Sequence, residues 1–210
     1  MKKADPEIDD FSTGDLALFL ERLKKKALDW GASDAKIIDA KMIAIEDGIT
    51  ELCKSPRCKS YGKNANCPPY ALKPAEARKM VETFSKALVF KIDVEPAALI
   101  SENNDEAFKP IYEIGAQLES FSIRAGFARS KSLAAGSCLH VLCKNKKCRV
   151  ISDDKPCRYP TLARSSMEAI GINVFRLIQD AGWEIYQITK DSDPKKIPAG
   201  VLAGLVLVGA

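Results

Sequence analysis

Apolar residues recur at helical spacing from Asp15 to Trp30, where Leu16, Phe19, Leu20, Leu23, Ala27 and Trp30 share one stripe. Ser12 or Thr13 is placed to cap this helix, and Gly31 ends it at the C′ position. Residues 35–45, rich in Ile and partly alternating, predict a strand. Pro74 opens a second helix with Ala77, Met80, Val81 and Phe84 on one face, and ALVFKIDV at 87–94 predicts a strong strand. The order then returns. Ile111, Ile114, Leu118 and Phe121 stripe a helix over 110–124 that stops at Gly126, and a weaker strand covers 129–135. A helix over 162–181 ends at Gly182, and WEIYQI at 183–188 reads as its strand. Residues 95–109 are a polar connector, and VLAGLVLVGA reads as a buried strand over about 200–209.

The cysteines repeat in step with these elements. Cys53, Cys58 and Cys67 read C-x4-C-x8-C, as do Cys143, Cys148 and Cys157. CKSPRCK in the first copy faces CKNKKCR in the second, and proline stands close to each third cysteine. Cys138 lies five residues ahead of the second triad, where the first copy has Gly48. A ligand shell constrains loop length as an apolar core does not, so the matched spacing points to a duplicated metal site. The expected fold is α/β or α+β. Two pseudo-symmetric helix–strand–Cys loop–helix–strand halves, about 12–94 and 107–190, form one metal-binding domain over 1–210.

Composition changes this picture little. The chain has 210 residues, 46% hydrophobic and 29% charged, enough for a sizeable core. Its 32 basic and 28 acidic residues leave +4, too mild to argue for nucleic acid. MKKADPEIDDF has no apolar h-region, and the longest apolar run is about half of a membrane span. The expectation is a cytoplasmic protein with no membrane partner. There thiols stay reduced, and seven cysteines could not all pair, so metal ligation is preferred to disulfides.

Thiolates are soft ligands for zinc, copper(I) or iron–sulfur clusters. Structural zinc usually takes a tight C-x2-C pair, and none is present. A cubane tolerates wider spacing and C-x4-C, and proline beside the last ligand turns the chain away from the cluster. One or two iron–sulfur clusters, of [4Fe-4S] type, are expected, with zinc as the alternative. Cys138, Cys143, Cys148 and Cys157 close a four-thiolate shell, or Cys138 crosses to the first triad. The three-thiolate site then has either an open iron or another ligand.

YGKNANCPPY at 61–70 and CRYPTLARSSMEAIGINVF at 157–175 resemble the two signature blocks of an uncharacterised family. Its members are Cys-rich predicted metal-binding proteins of anaerobic bacteria and archaea. The resemblance covers roughly residues 30–190 and includes the G-x-C of Gly136–Cys138. It implies metal binding by these cysteines, as iron–sulfur, and no settled reaction. The family often has proline after the arginine of the second block, where this chain has Ser165.

Basic residues crowd both loops: Lys54, Arg57, Lys59 and Lys63 in one, and Lys144, Lys146, Lys147, Arg149, Lys155 and Arg158 in the other. They would stabilise an anionic cluster, or dock an acidic redox partner or a small anionic substrate, or form a solvated surface. Tyr61, Lys63 and Asn66 lie between Cys58 and Cys67 as substrate or anion contacts, joined by Arg158 and Arg164. His140 reads as a half-exposed strand residue. The chain lacks a Gly-rich phosphate loop, a paired-carboxylate motif, a Ser-His-Asp pattern and the C-x3-C-x2-C of radical enzymes. The functional expectation is electron transfer or reductase-type chemistry. The alternatives are a non-redox enzyme using an open cluster iron as a Lewis acid, and a structural zinc protein that binds nucleic acid or protein.

Overall fold

The structure is a computed structural model that describes residues 15–101, 104–144, 146–189 and 191–209. In chain order it contains α1 (Leu16–Asp29), β1 (Asp34–Asp39), α2 (Asp47–Lys54), α3 (Pro74–Glu82), β2 (Lys86–Val94) and α4 (Pro96–Ile100). There follow α5 (Asp105–Arg124), β3 (Lys131–Leu133), α6 (Cys138–Val141), α7 (Arg149–Ser152), α8 (Val174–Asp180) and β4 (Gly200–Val208). Short 3-10 turns occupy Ala40–Met42, Glu168–Ile170 and Pro194–Lys196.

The strands form one antiparallel sheet of order β1-β2-β4-β3. With helices on both faces this is an α+β fold. Alternation splits the inner strands between two cores. Leu88 and Phe90 of β2 join Leu202 and Val206 of β4 beneath α1 and α5. Ala87, Val89, Ala203, Leu205 and Leu207 face α3, α8 and the 3-10 turn at Glu168–Ile170. Both faces of β4 are covered, which explains its nearly unbroken apolar sequence. Gly204 is needed there: a Cβ would stand 2.3 Å from the Phe90 ring. Among the described residues no helix is long and apolar enough to cross a membrane.

Several expected elements are displaced. Asp15 caps α1, its Oδ1 accepting the Leu18 N–H at 3.0 Å, while Ser12 and Thr13 lie outside the described residues. The strand expected over 35–45 stops at Asp39, and Ile45 instead bridges Ile172. The connector 95–109 holds α4 and the first turn of α5. The helix expected over 162–181 is broken. The Ala134 N–H donates to Ser165 O at 2.9 Å and the Met167 N–H to Ala134 O at 3.0 Å, drawing that segment alongside β3. Only after Gly171, at φ 93°, does α8 begin, capped by Asn173. Residues 183–188 form no strand. The Trp183 indole donates to Asp34 Oδ2 at 2.8 Å, docking at the edge strand by its side chain.

Candidate metal centre

Each cysteine loop leaves an outer strand, the first after β1 and the second after β3. Cys53 lies in the last turn of α2, and the Cys58 N–H donates to its carbonyl at 3.0 Å. Asn64 is fully buried and its Oδ1 accepts the Asn66 N–H at 3.0 Å, an Asx turn that sets the path into Cys67. In the second loop Cys138 begins α6 and Cys148 is the N-cap of α7. Gly136, at φ 70°, admits the chain to this turn, since a Cβ there would meet the Phe108 ring at 2.9 Å. Both loops close a turn after their second cysteine, the Tyr61 N–H donating to Cys58 O at 3.1 Å and the Ile151 N–H to Cys148 O at 3.2 Å.

The sulfurs line two cavities. Cys138, Cys143, Cys148 and Cys157 border one of about 270 Å³, with Asn66 and Tyr159 also in its wall. Cys53, Cys58 and Cys67 border another of about 810 Å³, shared with Tyr61, His140 and Glu168. The two meet at consecutive residues, because Ser137 lines the larger and Cys138 the smaller. Loop 64–67 reaches across this seam. Asn64 Nδ2 donates to Ser137 Oγ at 3.3 Å, and Asn66 Nδ2 donates to Cys138 Sγ at 3.5 Å.

Burial pushes the Cys138 thiol up to about 12 and the Cys53 thiol up to about 11. Burial raises Cys67 as well, and the charges of Cys58 and Cys148, one from each triad, add to it. Cys143 is also raised by burial, against the pull of the Arg158 guanidinium. Such thiols ionise only against a compensating cation, which a coordinated metal supplies. All seven cysteines are free thiols. Among the described residues no three His, Cys, Asp or Glu side chains are gathered to hold a single metal ion. A tetrahedral zinc would need its ligands within about 2.0–2.3 Å of one point. The seven thiols nevertheless supply a soft donor set of the kind that thiolate-bound metal centres take.

The remaining sequence candidates are dispersed. Tyr61 lines the three-thiol cavity, with the Arg57 guanidinium 5.7 Å from its ring centre. Lys63 is exposed and borders neither thiol cavity. Asn66 faces the four-thiol cavity, its Oδ1 accepting from Ser165 Oγ at 3.5 Å. Arg158 sits beside Cys143 and donates to Lys147 O at 2.5 Å. Arg164 is committed to Glu119, with Nη2–Oε1 at 2.6 Å and Nε–Oε2 at 3.0 Å.

Glu168, Ser137 and Ser166 also line the three-thiol cavity. The sequence offers Ser166 and Glu168, after Arg164, only as an anion site or cap at the start of a helix, and gives no sign of Ser137. It suggests a strand for His140, which belongs to α6. Burial raises the Glu168 carboxyl above its ordinary range, against a hydrogen bond from Ser166. Tyr112, fully buried, donates to Gly136 O at 3.2 Å and holds the turn before Cys138.

Residues 36–207 match one family model, described as Predicted metal-binding protein (DUF2284). No curated protein and no solved structure matches the chain significantly.

Proposed function

The chain belongs to the predicted metal-binding family DUF2284, and from that premise we propose that it is an iron–sulfur protein with two unlike centres. The observation that carries this reading is the division of seven thiols, six of them buried or half-buried, into a cavity with four and a larger one with three. Cys58, the exposed exception, stands at the mouth of the latter. Cys138, Cys143, Cys148 and Cys157 hold the first centre, and Cys53, Cys58 and Cys67 the second. When bound, such clusters supply one-electron chemistry and, where a cluster iron lacks a protein sulfur, a Lewis-acid position.

The protein groups have separable tasks. Four thiolates in a small cavity, with Asn66 donating to Cys138, make a closed site suited to electron transfer. The larger cavity surrounds its three thiols with donors and acceptors: Tyr61 and Ser137 offer hydroxyls, His140 an imidazole and Glu168 a carboxyl. Glu168, raised by burial, is suited to hold a proton beside a bound substrate. Arg57, Lys59, Lys146 and Lys147 present exposed positive charge near the loops, fitting an acidic redox partner or a small anionic substrate. The size of the three-thiol cavity favours one second reading, a non-redox reaction at an open iron.

Anaerobic titration of the purified protein with dithionite, followed by visible absorption and EPR, tests the assignment. A reversible couple assigned to each thiol set supports it. A substrate-dependent spectrum without reversible reduction supports the Lewis-acid reading. A protein with no visible chromophore after anaerobic handling refutes both.

A further inference from the structure

The wall between the two thiol sets is one residue thick. Cys67 Sγ stands 3.9 Å from Ser137 Oγ, and the next residue, Cys138, turns its sulfur into the other cavity. On the opposite side of the wall, in loop 64–67, the order is reversed: Cys67 lines the three-thiol cavity, and its neighbour Asn66 lines the four-thiol cavity. Asn66 is held from two sides. Its backbone N–H donates to Asn64 Oδ1 at 3.0 Å, and its side-chain Oδ1 accepts from Ser165 Oγ at 3.5 Å. The amide nitrogen is thereby turned toward Cys138 Sγ, at 3.5 Å. Ser137 Oγ already accepts from Asn64 Nδ2 at 3.3 Å, so its own hydroxyl hydrogen remains for the Cys67 sulfur once that thiol has lost its proton.

We propose that Asn66 and Ser137 are crossed positioning residues: each directly precedes a cysteine of one site while hydrogen-bonding, or standing ready to hydrogen-bond, a sulfur of the other. Asn66 stabilises the ligand sulfur of Cys138, and Ser137 that of Cys67, so the two centres share one hydrogen-bonded wall and sense each other's charge. A hydrogen bond to a ligand sulfur favours the more negative, reduced state of the centre it serves, and its removal lowers that centre's potential. This inference rests on the iron–sulfur reading above.

The test is a potentiometric titration of the anaerobic holoprotein followed by EPR, with dithionite as the one-electron donor. In the wild type the two reduced centres should broaden each other's signals. Asn66→Ala should shift the four-thiol centre to lower potential and leave the three-thiol centre in place. Ser137→Ala should do the opposite. Iron and sulfide content equal to wild type shows that each variant is loaded. Two unbroadened signals in the doubly reduced wild type overturn the shared wall without needing any variant. So does a loaded pair of variants in which neither potential moves, or both move together. Wild-type protein that carries no iron instead overturns the iron–sulfur reading itself.

Discussion

Cys138 sits between two asparagines of the other half of the chain, its thiol 3.7 Å from Asn64 Oδ1 and 3.5 Å from Asn66 Nδ2. It borders the cavity of Cys143, Cys148 and Cys157, and the charges of those on either side of Cys148 reach it. Cys138→Ala should therefore abolish the four-thiol centre and leave the signal of the three-thiol centre. Iron analysis with EPR checks this, and loss of the other signal would reassign Cys138. Gly136 prepares the position. Gly136→Ala combines a left-handed backbone with the Phe108 clash, and the first term alone costs about 1–2 kcal/mol. Denaturant unfolding should show at least that loss. At this scale the cysteines were legible because their spacing repeats. Asn64 and Ser137 were not, since their value comes from meeting across 73 positions of sequence.

The second signature block is tied to the scaffold through Glu119 of α5. Its carboxylate receives the Arg164 guanidinium and both the N–H and hydroxyl of Ser132 in β3. Burial by itself would raise this carboxyl, but these donors together hold it below its ordinary range. Its contribution to stability is then complete above the ordinary carboxylate range and is lost as pH falls through the depressed folded value. Glu119→Gln should remove that acid-side loss from a stability–pH curve. Arg164→Met leaves the carboxylate buried without its partner and should cost roughly 3–5 kcal/mol, read by urea unfolding. This pair also explains why the helix expected over 162–181 does not form. Helical spacing was present in the sequence, but the Glu119 and Ala134 contacts hold residues 163–166 out of a helix, a 3-10 turn follows at Glu168–Ile170, and α8 begins only after Gly171. The stripes of α1, α3 and α5 were legible because each packs one face on the sheet. WEIYQI had strand-like residues, yet β4 pairs with β2, and Trp183 reaches only the edge strand β1, through its side chain.

Across the whole molecule, the strand order sets the outer strands β1 and β3 at the edges and the inner strands β2 and β4 between them. Each half thus contributes an outer strand, a cysteine loop and an inner strand. The cysteine spacing repeats in the sequence, but the strand expected over 183–188 does not form, because periodicity alone does not say which segment pairs. It also did not reveal that one loop would enclose about 270 Å³ and the other about 810 Å³. Those volumes depend on how α5, α6 and α7 close over the loops. Metal binding releases the protons of raised thiols and ties both loops to the sheet. Stripping the metal anaerobically should therefore lower the unfolding midpoint, and a midpoint unchanged by stripping would deny the centres any structural part.

The central claim is that these thiols hold iron–sulfur clusters rather than a single ion such as zinc. Its most direct measurement is iron, acid-labile sulfide and zinc analysis of the anaerobically purified wild-type protein. The account predicts a brown protein with iron and sulfide in near-equal amounts and little zinc. A colourless protein carrying stoichiometric zinc and no labile sulfide would contradict it.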